Sequence, residues 1–124
     1  MVQKILVVDD DPVVQKILDQ ALRRNGFEVL LASSGEDGLT QAREHVPELI
    51  ILDVLLPSLD GTEIAGLLQE DYKTHHIPVI YLTGLEAKED AVLESNLEHD
   101  IIFSKPVDIE KLVAKVLEVT KKPN

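Results

Sequence analysis

Lys4-Ile5-Leu6-Val7-Val8-Asp9-Asp10-Asp11-Pro12 is the stretch that decides the fold. A short aliphatic run stops abruptly at three acids, the pattern of a buried strand that ends in a loop. Pro12 stands where a helix tolerates a missing N–H, and Asp11 before it can act as the N-cap. Val13, Val14, Ile17, Leu18, Ala21 and Leu22 then recur at helical spacing. Asn25-Gly26 closes that helix with residues that tolerate left-handed geometry. The unit is strand, loop, helix, and the rest of the chain repeats it.

Phe27 to Leu31 reads as a second strand. Ser34 and Asp37 resemble a capping box, opening a helix through Gly38, Leu39, Ala42 and Arg43 that stops near Pro47. Leu49-Ile50-Ile51-Leu52 is continuously apolar, as a strand covered on both faces should be, and it too ends in an acid, Asp53. A loop with Pro57 and Asp60-Gly61 leads to a helix carrying Ile64, Ala65, Leu67 and Leu68. Ile77 to Leu82 is a fourth strand ending at Thr83-Gly84, and a charge-rich helix is expected over roughly Glu86 to Asn96. Ile101 to Ser104 is a fifth strand ending at Lys105-Pro106. Asp108 caps a last helix with Ile109, Leu112, Val113, Val116 and Leu117 in period.

Five strands alternating with five helices imply an α/β domain, a doubly wound parallel sheet with helices on both faces. The 124 residues suit one domain over 1–124, with no low-complexity segment and no room for a second. No apolar run approaches the about 20 residues of a membrane helix, and the N-terminus lacks a signal-peptide layout. The absence of cysteine excludes disulfides, thiolate metal sites and cysteine nucleophiles. A cytoplasmic address is expected. A formal charge of −11 repels phosphate backbones, so direct nucleic-acid binding is not expected of this chain, and without a long apolar run neither is a membrane partner. For most of the acids, solubility is the simplest role.

In a doubly wound sheet the strand ends share one rim, where ligands bind. That rim collects Asp9, Asp10, Asp53, Thr83 and Lys105. Crowded carboxylates need a proton or a cation between them. With oxygen donors alone, a hard ion is expected, and Mg²⁺ fits best because it keeps several waters and binds through one or two carboxylates plus phosphate oxygens. A carboxylate is itself a competent nucleophile for phosphoryl transfer and, already ionised, needs no base. A metal, a hydroxyl and an ammonium can share the charge that develops on the transferring group. Asp11 is better read as a cap than as a ligand, and Asp60-Gly61 as turn chemistry. His75-His76, His45 and His99 gather no partners that would make a site, and Lys121-Lys122 is a short charged tail.

From the first strand to the last helix the chain resembles the receiver domain of two-component response regulators. The likeness rests on Ile5 to Pro12, on Asp53-Val54-Leu55-Leu56-Pro57-Ser58-Leu59-Asp60-Gly61, on Thr83-Gly84 and on Lys105-Pro106. The resemblance implies a flavodoxin-like (βα)5 fold with strand order 2-1-3-4-5. It makes Asp53 the phosphoacceptor, Asp10 a direct Mg²⁺ ligand, Asp9 a ligand mainly through water, and the Leu55 carbonyl a further ligand. Thr83 would hydrogen-bond the phosphoryl group and Lys105 would ion-pair with it, beside a cis Lys105–Pro106 bond. The phosphodonor would be a sensor histidine kinase or phosphotransfer protein. Phosphorylation would change a surface read by a downstream protein, with no turnover of a separate substrate. The receiver would act alone or belong to a longer protein.

Three positions depart from the family's pattern. Ile102 stands where an aromatic residue usually follows the threonine's movement, so the signal is expected to travel by a modified or weaker route. Phe103 points to the other side of its strand and cannot replace it. Glu98-His99-Asp100 stands where Gly-Ala-Asp is common, which puts a different turn before the last strand. Leu55 and Leu85 place apolar side chains where a water would approach the acyl phosphate, which implies a long-lived phosphoprotein. Two other classes fit these residues less well. A flavodoxin-like cofactor carrier would need a phosphate-cradling loop where Asp9-Asp10-Asp11 stands, and a phosphorylation-independent module would not need the five rim residues together.

Overall fold

A computed structural model describes residues 2–56, 61–84 and 101–121. Its elements are β1 (Lys4–Val8), α1 (Pro12–Arg24), β2 (Glu28–Ala32), α2 (Gly35–His45), β3 (Leu49–Asp53), α3 (Gly61–Glu70), β4 (Val79–Thr83), β5 (Ile101–Ser104) and α4 (Ile109–Thr120). All five strands are parallel, in the order β2-β1-β3-β4-β5. The helix expected over 86–96, the Glu98-His99-Asp100 turn, Leu85 and residues 57–60 of the loop before α3 fall outside the described residues.

Alternation along the strands builds two cores. Leu6, Val8, Ile50, Leu52 and Tyr81 face α2 and α3, where Ala42, Ile64, Ala65 and Leu68 meet them. Ile5, Val7, Leu49, Ile51, Ile80 and Leu82 face the other way, toward Leu18 and Leu22 of α1 and Leu112, Val113 and Val116 of α4. Every residue of β3 is buried, which explains its lack of alternation. Each fully buried aliphatic side chain there contributes about 1.5–3 kcal/mol of hydrophobic stabilisation.

Local chemistry sets the helix starts. Asp11 Oδ1 accepts from Val13 N at 2.9 Å with Pro12 at the first helical position, and Asp108 Oδ1 accepts from Lys111 N at 3.2 Å. Ser34 Oγ accepts from Asp37 N at 3.1 Å, one half of the capping box; the Asp37 carboxylate accepts from Gln41 Nε2 at 3.0 Å. Gly26 takes the left-handed conformation (φ 89°) after Asn25.

Several bounds and faces differ from the sequence reading. β2 begins at Glu28 because Phe27 N bonds back to Leu22 O and so leaves the ladder. β4 begins at Val79 because Ile77 N closes a turn onto Thr74 O and Pro78 has no N–H. In the α1 stripe, Leu18, Ala21 and Leu22 are buried, whereas Val13 is 62% and Ile17 44% exposed.

Candidate functional site

The ladder brings the rim together. β1 pairs with β3 so that Val8 lies beside Leu52; the next residue of each chain segment is an acid, Asp9 just past β1 and Asp53 at the end of β3. Asp53 in turn pairs with Leu82, and Thr83 with Ser104, so Thr83 and Lys105 emerge one step beyond. Lys105 N donates to Thr83 O at 2.8 Å, extending the β4–β5 ladder to the residue that carries the ammonium. The Lys105–Pro106 peptide bond is cis.

Lys105 Nζ lies 2.9 Å from Asp9 Oδ2 and 3.2 Å from Asp53 Oδ2, bridging two carboxylates from different strands. The contact to Asp53 is a hydrogen bond. The contact to Asp9 is a close approach of charges without hydrogen-bond alignment, so Asp9 Oδ2 is a buried oxygen with no hydrogen-bond partner. The other oxygens are anchored locally: Asp9 Oδ1 accepts from Asp11 N at 2.9 Å and Asp53 Oδ1 from Leu55 N at 3.1 Å. Asp11 thus caps α1 with its side chain and fixes Asp9 with its backbone.

Asp9 is 0% and Asp53 3% exposed, while Asp10 is exposed. Burial first, and the Asp9 charge second, push the Asp53 carboxyl above its ordinary value; Lys105 and the Leu55 N–H act against them. Burial alone would lower Lys105, but its contacts with Asp9 and Asp53 outweigh that and raise it. An ammonium held charged between two acids, one of which resists ionisation, is a site short of positive charge.

A hard cation would supply it. One oxygen each of Asp9, Asp10 and Asp53 lies within 4.8 Å of the others. All three donors are carboxylates, and Asp9 carries an oxygen no hydrogen bond satisfies, so the donor set fits a divalent ion of the Mg²⁺ type.

Thr83 is half-buried, its hydroxyl 3.4 Å from Gly84 O, a contact weak enough to be exchanged for a better acceptor. Ile102 is half-buried, lies beside Tyr81 in the ladder and packs into the α2–α3 core, whereas Phe103 packs into the opposite core. Leu55, two residues after Asp53, is 47% exposed. His75 and His76 are exposed and meet edge to face, and His45 is exposed, none of them near the acids' cluster.

Three features were not marked by the sequence. Gly61 N donates to Val54 O at 2.8 Å, and a Cβ at Gly61 would overlap the Asp53 carbonyl oxygen, so α3 starts hard against the acceptor's backbone. An apolar groove of about 490 Å³ runs from Lys105 and Gly84 between Val14, Ile17 and Leu18 on one side and Pro106, Val107 and Ile109 on the other. Gln15 of α1 reaches the Asp9 carbonyl. The sequence marks Asp60-Gly61 only as a turn; the contact of Gly61 with the acceptor's backbone, like the groove and Gln15, depends on which elements become neighbours.

The family described as the response regulator receiver domain matches residues 5–117. The alkaline phosphatase synthesis transcriptional regulatory protein PhoP of Bacillus subtilis is 36% identical over 122 residues, 98% of this chain and 50% of that protein. The DNA-binding dual master transcriptional regulator RpaA of Synechocystis is 34% identical over 113 residues, 91% of this chain and 47% of that protein. The chain spans about half the length of these curated relatives. Among solved structures, a CheY-like response regulator receiver domain protein of Methanospirillum hungatei aligns with a TM-score of 0.85 at 28% identity, covering 97% of this chain and 94% of that one. The receiver domain of sensor histidine kinase PA1611 of Pseudomonas aeruginosa aligns with a TM-score of 0.85 at 25% identity, covering 98% and 100%. In that structure a magnesium ion is coordinated in the active site cleft.

Proposed function

The chain belongs to the response regulator receiver domain family, and from that premise we propose that it is a phosphorylation switch with Asp53 as the acceptor. The observation that carries this reading is the Lys105 ammonium bridging Asp9 and Asp53 across two strands. It holds the acceptor carboxylate at the mouth of the rim with a counter-charge ready for a second anion.

The Asp53 carboxylate attacks the phosphorus of a phosphohistidine. A P–O bond forms, the P–N bond breaks, and the imidazole nitrogen leaves with the electron pair. Asp53 must be ionised for this, and Lys105 and the Leu55 N–H favour that form. Thr83 and Lys105 then receive the phosphoryl oxygens, the hydroxyl by turning from Gly84 O and the ammonium by exchanging its bond to Asp53. Mg²⁺, held by Asp9, Asp10, Asp53 and the Leu55 carbonyl, supplies charge neutralisation when bound. The domain extends over 1–124 and acts only on itself, in phosphorylation and in loss of the phosphate.

The donor is a sensor histidine kinase or phosphotransfer protein, and the apolar groove ending at Lys105 gives such a protein a surface beside the acceptor. A downstream protein reads the changed surface. With Ile102 in place of an aromatic ring, Thr83's movement reaches the β5 side through aliphatic packing and with a smaller change. Leu55 and Leu85 stand two positions after the acceptor and the threonine in the sequence, neither can orient a hydrolytic water, and the phosphoprotein is long-lived. The acidic surface suits neither nucleic acid nor membrane contact by this domain. Among the described residues no helix is long and apolar enough to cross a membrane.

The test is labelling with acetyl phosphate, with and without Mg²⁺, read by intact mass. A gain of one phosphoryl group that requires Mg²⁺ and disappears in Asp53→Asn supports the reading. Labelling that persists in that variant removes Asp53 from it.

A further inference from the structure

Asp10 differs from the other two acids of the rim in what holds it. Asp9 and Asp53 each have one oxygen on a backbone N–H and the other against Lys105. Among the described residues no hydrogen bond or ion pair holds the exposed Asp10 carboxylate. Its position depends on its backbone.

That backbone is clamped from behind by Gln15. Its Nε2 lies 2.7 Å from Asp9 O, 3.0 Å from Ala32 O and 3.2 Å from Ser33 Oγ. An amide nitrogen has two hydrogens for these three acceptors, and Asp9 O is the nearest. Asp9 N already donates to Ala32 O at 3.0 Å, so Gln15 ties the end of β1 to the end of β2 at the last rung of the ladder. The Asp9 carbonyl oxygen and the Asp10 nitrogen and Cα share one planar peptide unit. Fixing that oxygen therefore fixes the direction in which Asp10 leaves the strand. Gln15 itself lies one turn into α1, whose start is set by Asp11 and Pro12. The clamp thus closes a small loop, with both ends and the middle held.

We propose that Gln15 is a positioning residue for the acidic rim, setting the Asp10 carboxylate for a divalent cation by holding the Asp9–Asp10 peptide. It rests on the metal-dependent reading above. A role confined to tying α1 to the sheet would change only the stability of the metal-free protein.

The experiment is calorimetric titration of the whole chain with Mg²⁺ alone, for the wild type, Gln15→Met and Gln15→Glu. Met keeps the length and loses the donor; Glu keeps the shape, can only accept, and adds a negative charge. Both variants should bind Mg²⁺ about tenfold more weakly, the scale on which supporting residues act at metal sites. In the metal-free protein the Asp10 amide resonance should move in both. Gln15→Met binding within twofold of wild type overturns the proposal, and so does tighter binding by Gln15→Glu, which would mean that only the number of negative charges matters. If Gln15→Met does not fold, the wild-type Gln15 side-chain amide decides: resonances that shift with the Asp10 midpoint support the clamp, and unmoved ones overturn it. A wild-type chain that takes up no Mg²⁺ removes the metal-dependent reading, and the clamp's role with it.

Discussion

The two ends of the sheet follow opposite rules. At the end where the strands begin, polar groups find partners: Gln3 Nε2 donates to Thr120 O at 2.9 Å, Asn25 Nδ2 to Ala21 O at 2.8 Å and Thr74 Oγ1 to Leu68 O at 2.7 Å. At the end where the strands finish, two buried carboxylates share one ammonium and one of their oxygens has no hydrogen bond. Buried polar groups are ordinarily satisfied, and an exception asks for a reason. One end is arranged for stability, and the other holds charge in a state that a cation would relieve.

The largest expected effect tests that contrast directly. Asp53→Asn should abolish labelling by acetyl phosphate while raising thermal stability in EDTA. The pH dependence gives the sign. Asp53 titrates above its ordinary 3.8 in the folded protein, so the folded state holds this proton more tightly than the unfolded chain does. The cost of ionising it is absent below 3.8, grows as pH rises through the window up to the raised value, and is constant above. The stability gap between Asp53→Asn and wild type should open across that window and close at lower pH. Lys105, raised above 10.5, contributes stability that is fully present below 10.5 and is lost as pH rises through its folded value. Urea midpoints in EDTA across pH would check both, and a variant less stable than wild type at neutral pH would break the contrast.

The contrast was partly visible in the sequence, and its limits are instructive. Strand ends were legible because a polar residue stops each apolar run, as at Val8-Asp9 and Leu52-Asp53, and rim residues could be collected once the sheet was parallel. Caps were legible because Asp11, Ser34 and Asp108 act within a few residues of themselves. What escaped depends on distant neighbours. Helical spacing puts Val13 and Ile17 on the same stripe as Leu18 and Leu22, but not which edge of the stripe meets the core. The Gln15 clamp requires β2 to lie beside β1, which no spacing around Gln15 announces.

Next in size is Gly61→Ala, which sharpens the contrast by showing that the rim is also tightly packed. Its Cβ would overlap the Asp53 carbonyl oxygen, and overlap with backbone cannot be relieved by a rotamer change. A loss of about 2–3 kcal/mol is expected from urea unfolding. Gly66→Ala in the same helix has open space at its Cβ and should gain about 0.5–1 kcal/mol. Equal effects at the two glycines would show that helix propensity alone is being measured. At the opposite end, Thr74→Val removes a buried donor to Leu68 O and should cost about 1–2 kcal/mol, with the labelling rate unchanged.

The smallest expected effect lies at the stability end and runs against its rule. Val46 closes α2 in the left-handed region, at φ 43° and ψ 66°, where a β-branched residue is disfavoured. Its N–H still bonds to Ala42 O at 2.9 Å, so the strain comes with the cap that turns the chain into β3. Val46 is 39% exposed and belongs to neither core, so little apolar contact depends on it. Asn tolerates this conformation and, unlike Gly, adds little freedom to the unfolded chain. Val46→Asn should therefore gain about 0.5–1 kcal/mol in urea unfolding, with Mg²⁺ affinity and labelling rate unchanged. A change in either of those would mean that strain at the turn before β3 reaches Asp53 at the strand's far end, and the two ends could not be treated as independent.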